Sequence, residues 1–204
     1  LPPRPEFTIV GGPNGSGKST VLAILGEFGI ALNNLHNADD LARGGLSAAD
    51  AQSFVRSARD AAIRDRQSFT YESVMSHASH VSAMRAARDA DFFVRLIFVT
   101  TDDPDINVAR VANRVSLGGH SVPEDRIRGR YARSMSQTLL PAIDVADEAL
   151  IYDNSHDGSG AALPVAHVIG FFVHRFATPT LLWPDRYLWP GLEASGRYEI
   201  VPVG

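Results

Sequence analysis

The chain has 204 residues, 45% of them hydrophobic and 21% charged, with a formal net charge of −4. That length buries the core of one domain spanning residues 1–204, and the acidic balance gives no net field to recruit nucleic acid. Cysteine is absent, which excludes disulfides and thiolate catalysis and suits a reducing, cytoplasmic setting.

The N-terminal elements carry the most specific signal. Phe7-Thr8-Ile9-Val10 is an apolar run of strand type, and Ser19 to Leu25 reads as the opening of a buried helix. Between them, Gly12-Pro13-Asn14-Gly15-Ser16-Gly17-Lys18-Ser19 fits the pattern G-x-x-x-x-G-K-[ST], with Thr20 following. Strand, glycine-rich loop and helix N-terminus form the context in which backbone N–H groups, here those of Gly15, Gly17 and Lys18, cradle phosphates. Lys18 is the one lysine beside 18 arginines. A compact ammonium suits the β- and γ-phosphates where a broad guanidinium does not. The expected ligands are ATP and Mg²⁺, with the Ser19 hydroxyl on the metal.

Further along, Asn34 to Asp39 reads as a short strand with polar residues at its end, and Ser47 to Asp65 as a helix opened by the pair Ser47 and Asp50. Ser68 to Glu72 is a third strand, Ser79 to Asp89 a helix and Phe92 to Thr100 the longest strand. Asp105 to Leu117 is helical and ends at Gly118-Gly119. A capping-box spacing, Ser121 to Glu124, opens a helix that runs to about Leu140, and Ala149 to Tyr152 is a fifth strand before Asp153-Asn154-Ser155. Val165 to Phe176 reads as one strand. The tail, with Trp183 and Trp189 among prolines, reads as irregular or edge structure. The most apolar segment, Leu163 to Val173, is too short to span a bilayer, so no membrane association is expected. Alternating strands and helices predict an α/β fold with a parallel sheet.

Parallel sheets of this kind bind ligands beyond the carboxyl ends of their strands. Asp39-Asp40, Glu72-Ser73 and Asp153-Asn154 fall at such ends beside the P-loop. Asp39 or Asp40 is either a helix N-cap or a working carboxylate, and Glu72 is either a solvated strand end or a ligand-binding acid. Asn154 is either a turn residue or a contact to adenine. Arg126, Arg130 and Arg133 share one helical face, and Arg110 and Arg114 share another on the preceding helix. Beside a P-loop, such a cluster suits a lid that closes over transferring phosphate. An LSGGQ-type signature and a strand ending Asp-Glu, which an ABC-type ATPase needs, are missing, as is the N-K-x-D guanine-reading motif.

The ordered blocks Gly11 to Thr20, Asn37 to Arg43, Phe69 to Ser73, Arg110 to Val115, Gly118 to Pro123, Ile127 to Ser134 and Tyr152 to Ser155 resemble the zeta toxin family of P-loop kinases. The resemblance implies a three-layer P-loop kinase-like fold with a mainly parallel five-stranded core sheet and an arginine-bearing helical lid. It implies transfer of the ATP γ-phosphate to the 3′-hydroxyl of the sugar of UDP-N-acetylglucosamine, and a small helical antitoxin as partner. By position, Asp39 matches the family's general base, Glu72 its substrate-binding acid, and Arg114, Arg130 and Arg133 its phosphate-contacting arginines. Gly129 departs from the pattern, since relatives often carry an arginine there. Residues after Gly160 carry no such resemblance.

Overall fold

The computed structural model describes residues 4–27, 35–156, 162–178 and 180–203; of the side chains within these ranges, those of residues 23–27, 39, 40, 43 and 48 are not described. Eight strands form one sheet in the order β2-β3-β1-β4-β5-β6-β7-β8. The first five, β1 (Glu6–Gly11), β2 (Leu35–Asn37), β3 (Phe69–Ser73), β4 (Phe93–Thr100) and β5 (Glu148–Asp153), pair in parallel throughout and form the expected core. Central β1 is buried from Phe7 to Gly11, and β4 from Leu96 to Thr100, which is why both read as near-continuous apolar runs.

The sheet is wider than the five strands expected. The segment read as one strand, Val165 to Phe176, is a hairpin: β6 (Leu163–Ile169) runs antiparallel to β5, and β7 (Phe172–Phe176) antiparallel to β6. Gly170, at φ 59°, supplies the left-handed residue of the two-residue turn before Phe171. The tail also corrects the sequence reading. It forms two short helices, α8 (Trp183–Tyr187) and α9 (Trp189–Ala194), then β8 (Glu199–Val203) on the edge of β7. Pro184 and Pro190 sit in the first helical turns, where a missing N–H is harmless, so here they mark helix starts. Trp183 and Trp189 are both buried.

Helices α1 (Lys18–Glu27) and α2 (Ala38–Arg43) flank β2, followed by α3 (Ala48–Arg64), α4 (Ala78–Asp89), α5 (Pro104–Ser116) and α6 (Glu124–Arg133). Ser47 caps α3 by accepting the Asp50 N–H, as its spacing predicts. The second expected box does not form: α6 starts at Glu124 with Pro123 at the N-cap and no side-chain cap bond. The helix also outlasts Leu140. It passes through a π-helical turn, Ser134–Thr138, into α7 (Leu139–Val145). Pro141 lies just beyond that turn and lacks the N–H a regular α-helix would donate to residue 137.

One large apolar cluster fills the side of the sheet under α3, α4, α7, α8 and α9; Val10, Ile97 and Val99 face the other side and pack on Val21 and Leu22 of α1. The loop after β1 therefore emerges at the sheet's centre, between the ends of β3 and β4. No helix among the described residues is long and apolar enough to cross a membrane.

Candidate active site

The loop between β1 and α1 has the backbone that a phosphate cradle needs. Gly12, Gly15 and Gly17 have φ of 143°, 75° and 91°, and a β-carbon would come within 1.9 Å of the Val99 carbonyl, 2.7 Å of the Asn107 carbonyl and 2.1 Å of Asn154 Nδ2, respectively. Only glycine satisfies both the angle and the space. The loop is braced from two sides. Asn107 Nδ2 donates to the Asn14 carbonyl (2.7 Å) and Asn154 Nδ2 to the Ser16 carbonyl (2.8 Å). Asn154, expected at a turn or at adenine, thus engages the P-loop backbone. Lys18, nearly buried, donates to the carbonyls of Gly12 (2.8 Å) and Pro13 (3.0 Å).

Glu72 brings the second half of the site to this loop. From the end of β3 its Oε2 accepts from Ser19 Oγ (3.2 Å) and Asn37 Nδ2 (3.0 Å), and its Oε1 lies 4.0 Å from Lys18 Nζ. A carboxylate and a hydroxyl so close, at a helix N-terminus, make an oxygen-rich locus that suits a hard cation bridging phosphates. No group of three metal-type side chains stands among the described residues, so Ser19 would share such an ion with phosphate and water, with the Glu72 carboxylate beside it. β2 ends at Asn37, and Asp39 lies in the first turn of α2 rather than on the expected strand; its side chain is not described.

The exit of β3 is held unusually firmly. Met75 is fully buried with φ 52°, a conformation that costs a non-glycine residue on the order of 1 kcal/mol or more. Ser134 Oγ donates to the Val74 carbonyl and Thr138 Oγ1 to the Met75 carbonyl, so the π-helical turn anchors the loop that follows Glu72. Ser73 Oγ accepts the Met75 N–H and lies 3.0 Å from His80 Nε2, while Tyr71 Oη lies 3.3 Å from His80 Nδ1. Burial, then the positive charges of Arg59, His77 and Arg56, lower the His80 pKa from 6.5 to about 4. His80 is neutral at physiological pH, and burial likewise pushes the Tyr71 hydroxyl up.

A cleft of about 590 Å³ opens over these groups and takes in Asn14, Gly15, Gly17, Lys18, Ser19 and Thr20 together with Glu72. Arg110, Arg114 and Arg130 line it from α5 and α6. Arg130 reaches Asn14 Oδ1 at 3.1 Å, Arg114 donates to the His120 carbonyl (2.9 Å), and Arg110 donates to the Asn154 carbonyl (2.7 Å). Two of the aligned arginines stay out of the cleft lining. Arg126 is exposed, and Arg133 lies 3.3 Å from where a Gly129 β-carbon would be, its buried Nε without a hydrogen-bond partner. Gly129, where an arginine was expected from the resemblance, thus leaves room for the Arg133 guanidinium. Gly12, Pro13 and Ser16 lie behind the cradle rather than in the cleft wall.

The sequence reading missed Asn107, Asn37, His80 and the C-terminal contacts. Asn107 is wholly buried in α5, three residues after Pro104, and no local pattern in the sequence discloses that burial. The tail gave no signal either. The structure shows Trp183 Nε1 donating to Asp153 Oδ2 (2.9 Å), and the Leu182 and Trp183 N–H groups donating to Asp102 Oδ1 (2.6 and 2.9 Å).

Known proteins place the chain. The zeta toxin family profile matches residues 30–156, which is more than half its length. The chain belongs to the zeta toxin family. The match begins beyond the P-loop, so the loop and the family profile are separate observations. An uncharacterized protein of Haemophilus influenzae is 32% identical over 127 residues, covering 59% of this chain and 88% of that protein. Among solved structures, the AvrRxo1-ORF1:-ORF2 complex with ATP aligns with a TM-score of 0.61 at 17% identity, covering 82% of this zeta-family chain and 59% of that one. The chain therefore spans about three fifths of that neighbour's length. A putative kinase from Chloroflexus aurantiacus gives 0.53 at 20% identity (74% and 89% covered). The PezAT chromosomal toxin-antitoxin system of Streptococcus pneumoniae gives 0.52 at 15% (74% and 69% covered). At these identities the structural likeness speaks to the fold, which is P-loop kinase-like.

Proposed function

We propose that this zeta-family chain is an ATP-dependent phosphotransferase acting on an alcohol, with the 3′-hydroxyl of the sugar of UDP-N-acetylglucosamine as acceptor. The observation that carries the reading is the meeting of Lys18, Ser19 and Glu72 within about 4 Å at the mouth of a glycine-built phosphate cradle. A switch that only binds nucleotide has no use for an acceptor-side acid there, whereas a kinase has two. In this reading the N–H groups of Gly15, Gly17 and Lys18 hold the triphosphate, and the Lys18 ammonium turns to the β- and γ-phosphates. Ser19 would hold Mg²⁺, which when bound neutralises phosphate charge. Arg114 and Arg130 meet the charge that spreads over the equatorial oxygens during transfer, with Arg133 as the third arginine of the lid.

Asp39 is the general base. It orients the acceptor hydroxyl and receives its proton late, when an ordinary carboxylate is basic enough. Glu72 accepts hydrogen bonds from the acceptor's hydroxyl or acetamido N–H. The identity of the acceptor rests on family membership, as do a helical antitoxin partner, a toxin role and a cytoplasmic setting. The test is incubation of the full chain with ATP, Mg²⁺ and UDP-N-acetylglucosamine. The expected product is heavier by one phosphoryl group, located on the hexose by NMR. An unmodified sugar nucleotide with another alcohol phosphorylated refutes the acceptor, and slow ATP hydrolysis with no phosphorylated product refutes the kinase.

A further inference from the structure

Arg128 and Arg130 stand two residues apart on α6 and meet different partners. Arg128 faces two carboxylates, Asp105 and Glu124. Arg130 Nη1 instead donates to a neutral amide oxygen inside the P-loop, Asn14 Oδ1, at 3.1 Å. We propose that Asn14 is a positioning residue for Arg130, orienting the guanidinium over the phosphate cradle before the γ-phosphate arrives. The inference rests on the reading above that Arg130 meets phosphate, and adds which residue sets that arginine in place.

Asn14 can hold an arginine because it is itself held. Its carbonyl accepts from Asn107 Nδ2 (2.7 Å), and Asn107 Oδ1 accepts from the Thr101 hydroxyl just past β4. The Thr101 carbonyl accepts from Tyr131 Oη (2.7 Å), and Tyr131 follows Arg130 in α6. The bonds close a ring that runs from the P-loop through α5, the end of β4 and α6 back to the P-loop. Asn14, Thr101, Asn107 and Tyr131 are all buried, so each bond of the ring satisfies a group that water does not reach. Arg130 and Tyr131 project about 100° apart around the helix, which grips α6 from two directions. Arginine has donors only, so the amide oxygen of Asn14 must be the atom that faces it.

The chemistry of the contact suits positioning. A carboxylate at Asn14 would orient the guanidinium equally well, but it would set a negative charge beside the phosphates. An amide oxygen orients the fork and adds no charge. Arginine has many rotamers, and an acceptor that selects one of them removes that ordering cost from the moment phosphate is engaged. Charge stabilisation during transfer works best from groups already in place. Asn14 thus acts on the nucleotide through Arg130, in addition to lending its backbone to the loop.

The experiment is calorimetric titration of the full chain, in Mg²⁺, with ADP and with a non-hydrolysable ATP analogue; the ratio of the two affinities isolates contacts to the γ-phosphate. Arg130→Ala should weaken analogue binding about tenfold and ADP binding less than about twofold. Asn14→Ala should lower the same ratio about threefold or more, and should add nothing to it in an Arg130→Ala background. Tyr131→Phe keeps the packing and leaves the P-loop untouched, and should lower the ratio in the same Arg130-dependent way, so it carries the test where Asn14→Ala fails to fold. Arg128→Gln, which removes a charge from the same helix, should leave the ratio unchanged. Equal loss of ADP and analogue in Asn14→Ala marks a loop-folding role and overturns the proposal, as do an unchanged ratio or additive effects in the double variant. An unchanged ratio in Arg130→Ala removes the phosphate contact, and this inference with it. Failure of the kinase reading shows separately, as no acceptor phosphorylated while the ratio still depends on Asn14 through Arg130.

Discussion

His80 should cost the fold about 2 kcal/mol when the pH falls from 7 to 5. Its pKa is 6.5 in an unfolded chain and about 4 in the fold, where burial and then Arg59, His77 and Arg56 oppose its charge. A group that the fold keeps unprotonated contributes its full stability above the unfolded value. That contribution fades as pH drops below 6.5 and is gone once it passes through 4. At pH 5 the unfolded histidine is almost fully protonated and the folded one about a tenth so, and the proton-binding difference integrates to the figure above. Urea unfolding at the two pH values, on wild type and His80→Gln, isolates the effect because all other titrating groups are shared. The wild type should lose about 2 kcal/mol more than the variant. Parallel pH dependences would refute the reasoning, as would an NMR titration of His80 near its ordinary value. Protonation also removes the acceptor nitrogen from the Ser73–His80–Tyr71 chain, so the hydrogen-bonded wall at the exit of β3 should loosen as the pH falls through about 4.

Lys18→Arg should abolish phosphoryl transfer nearly as completely as Lys18→Ala, because charge is kept while shape is lost; near-normal turnover in a steady-state assay would sink that geometric argument. Glu72→Gln should raise the KM for the acceptor and spare nucleotide affinity, at a cost of about 1.5–3 kcal/mol to acceptor binding, read from KM and kcat separately. Asn154→Ala removes the donor to the Ser16 carbonyl and should weaken ATP binding in titration calorimetry by about fivefold or more, with unchanged affinity counting against its bracing role. Trp183→Phe keeps the apolar bulk but leaves the fully buried Asp153 carboxylate one donor short. It should destabilise by about 2 kcal/mol and lower the melting temperature by roughly 4–8 °C, measured by calorimetry.

What was legible in the sequence follows from which interactions are local. The P-loop is a contiguous backbone device whose glycines are required by φ and by close approach, so eight residues disclose it. Strands β1 and β4 are legible because burial on both faces demands apolar runs. Ser47 reads as a cap because its bond spans three residues. Ser121 at the same spacing failed because Pro123 holds the N-cap position itself. The Gly170 turn was hidden inside a continuous apolar stretch, where one strand and a hairpin look alike. Arg130 and Arg133 share a face by spacing, yet the helix passes into a π turn right after Arg133, and only Arg130 reaches the cleft. Asn107 and His80 act through partners far along the chain or across two elements, and no local pattern marks them.

The C-terminal segment is the part least visible from the family and most consequential for how the site is held. Residues beyond 156 lie outside the family match, yet they hydrogen-bond to Asp102 and Asp153, the neighbour in the chain of the P-loop brace Asn154. Trp183 donates to Asp153, Asp153 accepts from the Ser155 N–H and hydroxyl, and Ser155 Oγ accepts the Asp102 N–H at 2.7 Å. Asp102 in turn accepts the N–H groups of Leu182 and Trp183 at the head of α8. Within that closed ring sits Asn154, whose own N–H bonds to the Thr100 carbonyl and whose side chain holds Ser16. Asp153 has no exposed surface, so each donor it gains offsets a desolvation cost that would otherwise oppose the fold. The indole supplies one of these donors, and a buried tryptophan of the tail thereby fixes where Asn154 stands. The head of α8 is thus hydrogen-bonded into the ends of β4 and β5, beside the seat of the phosphate cradle.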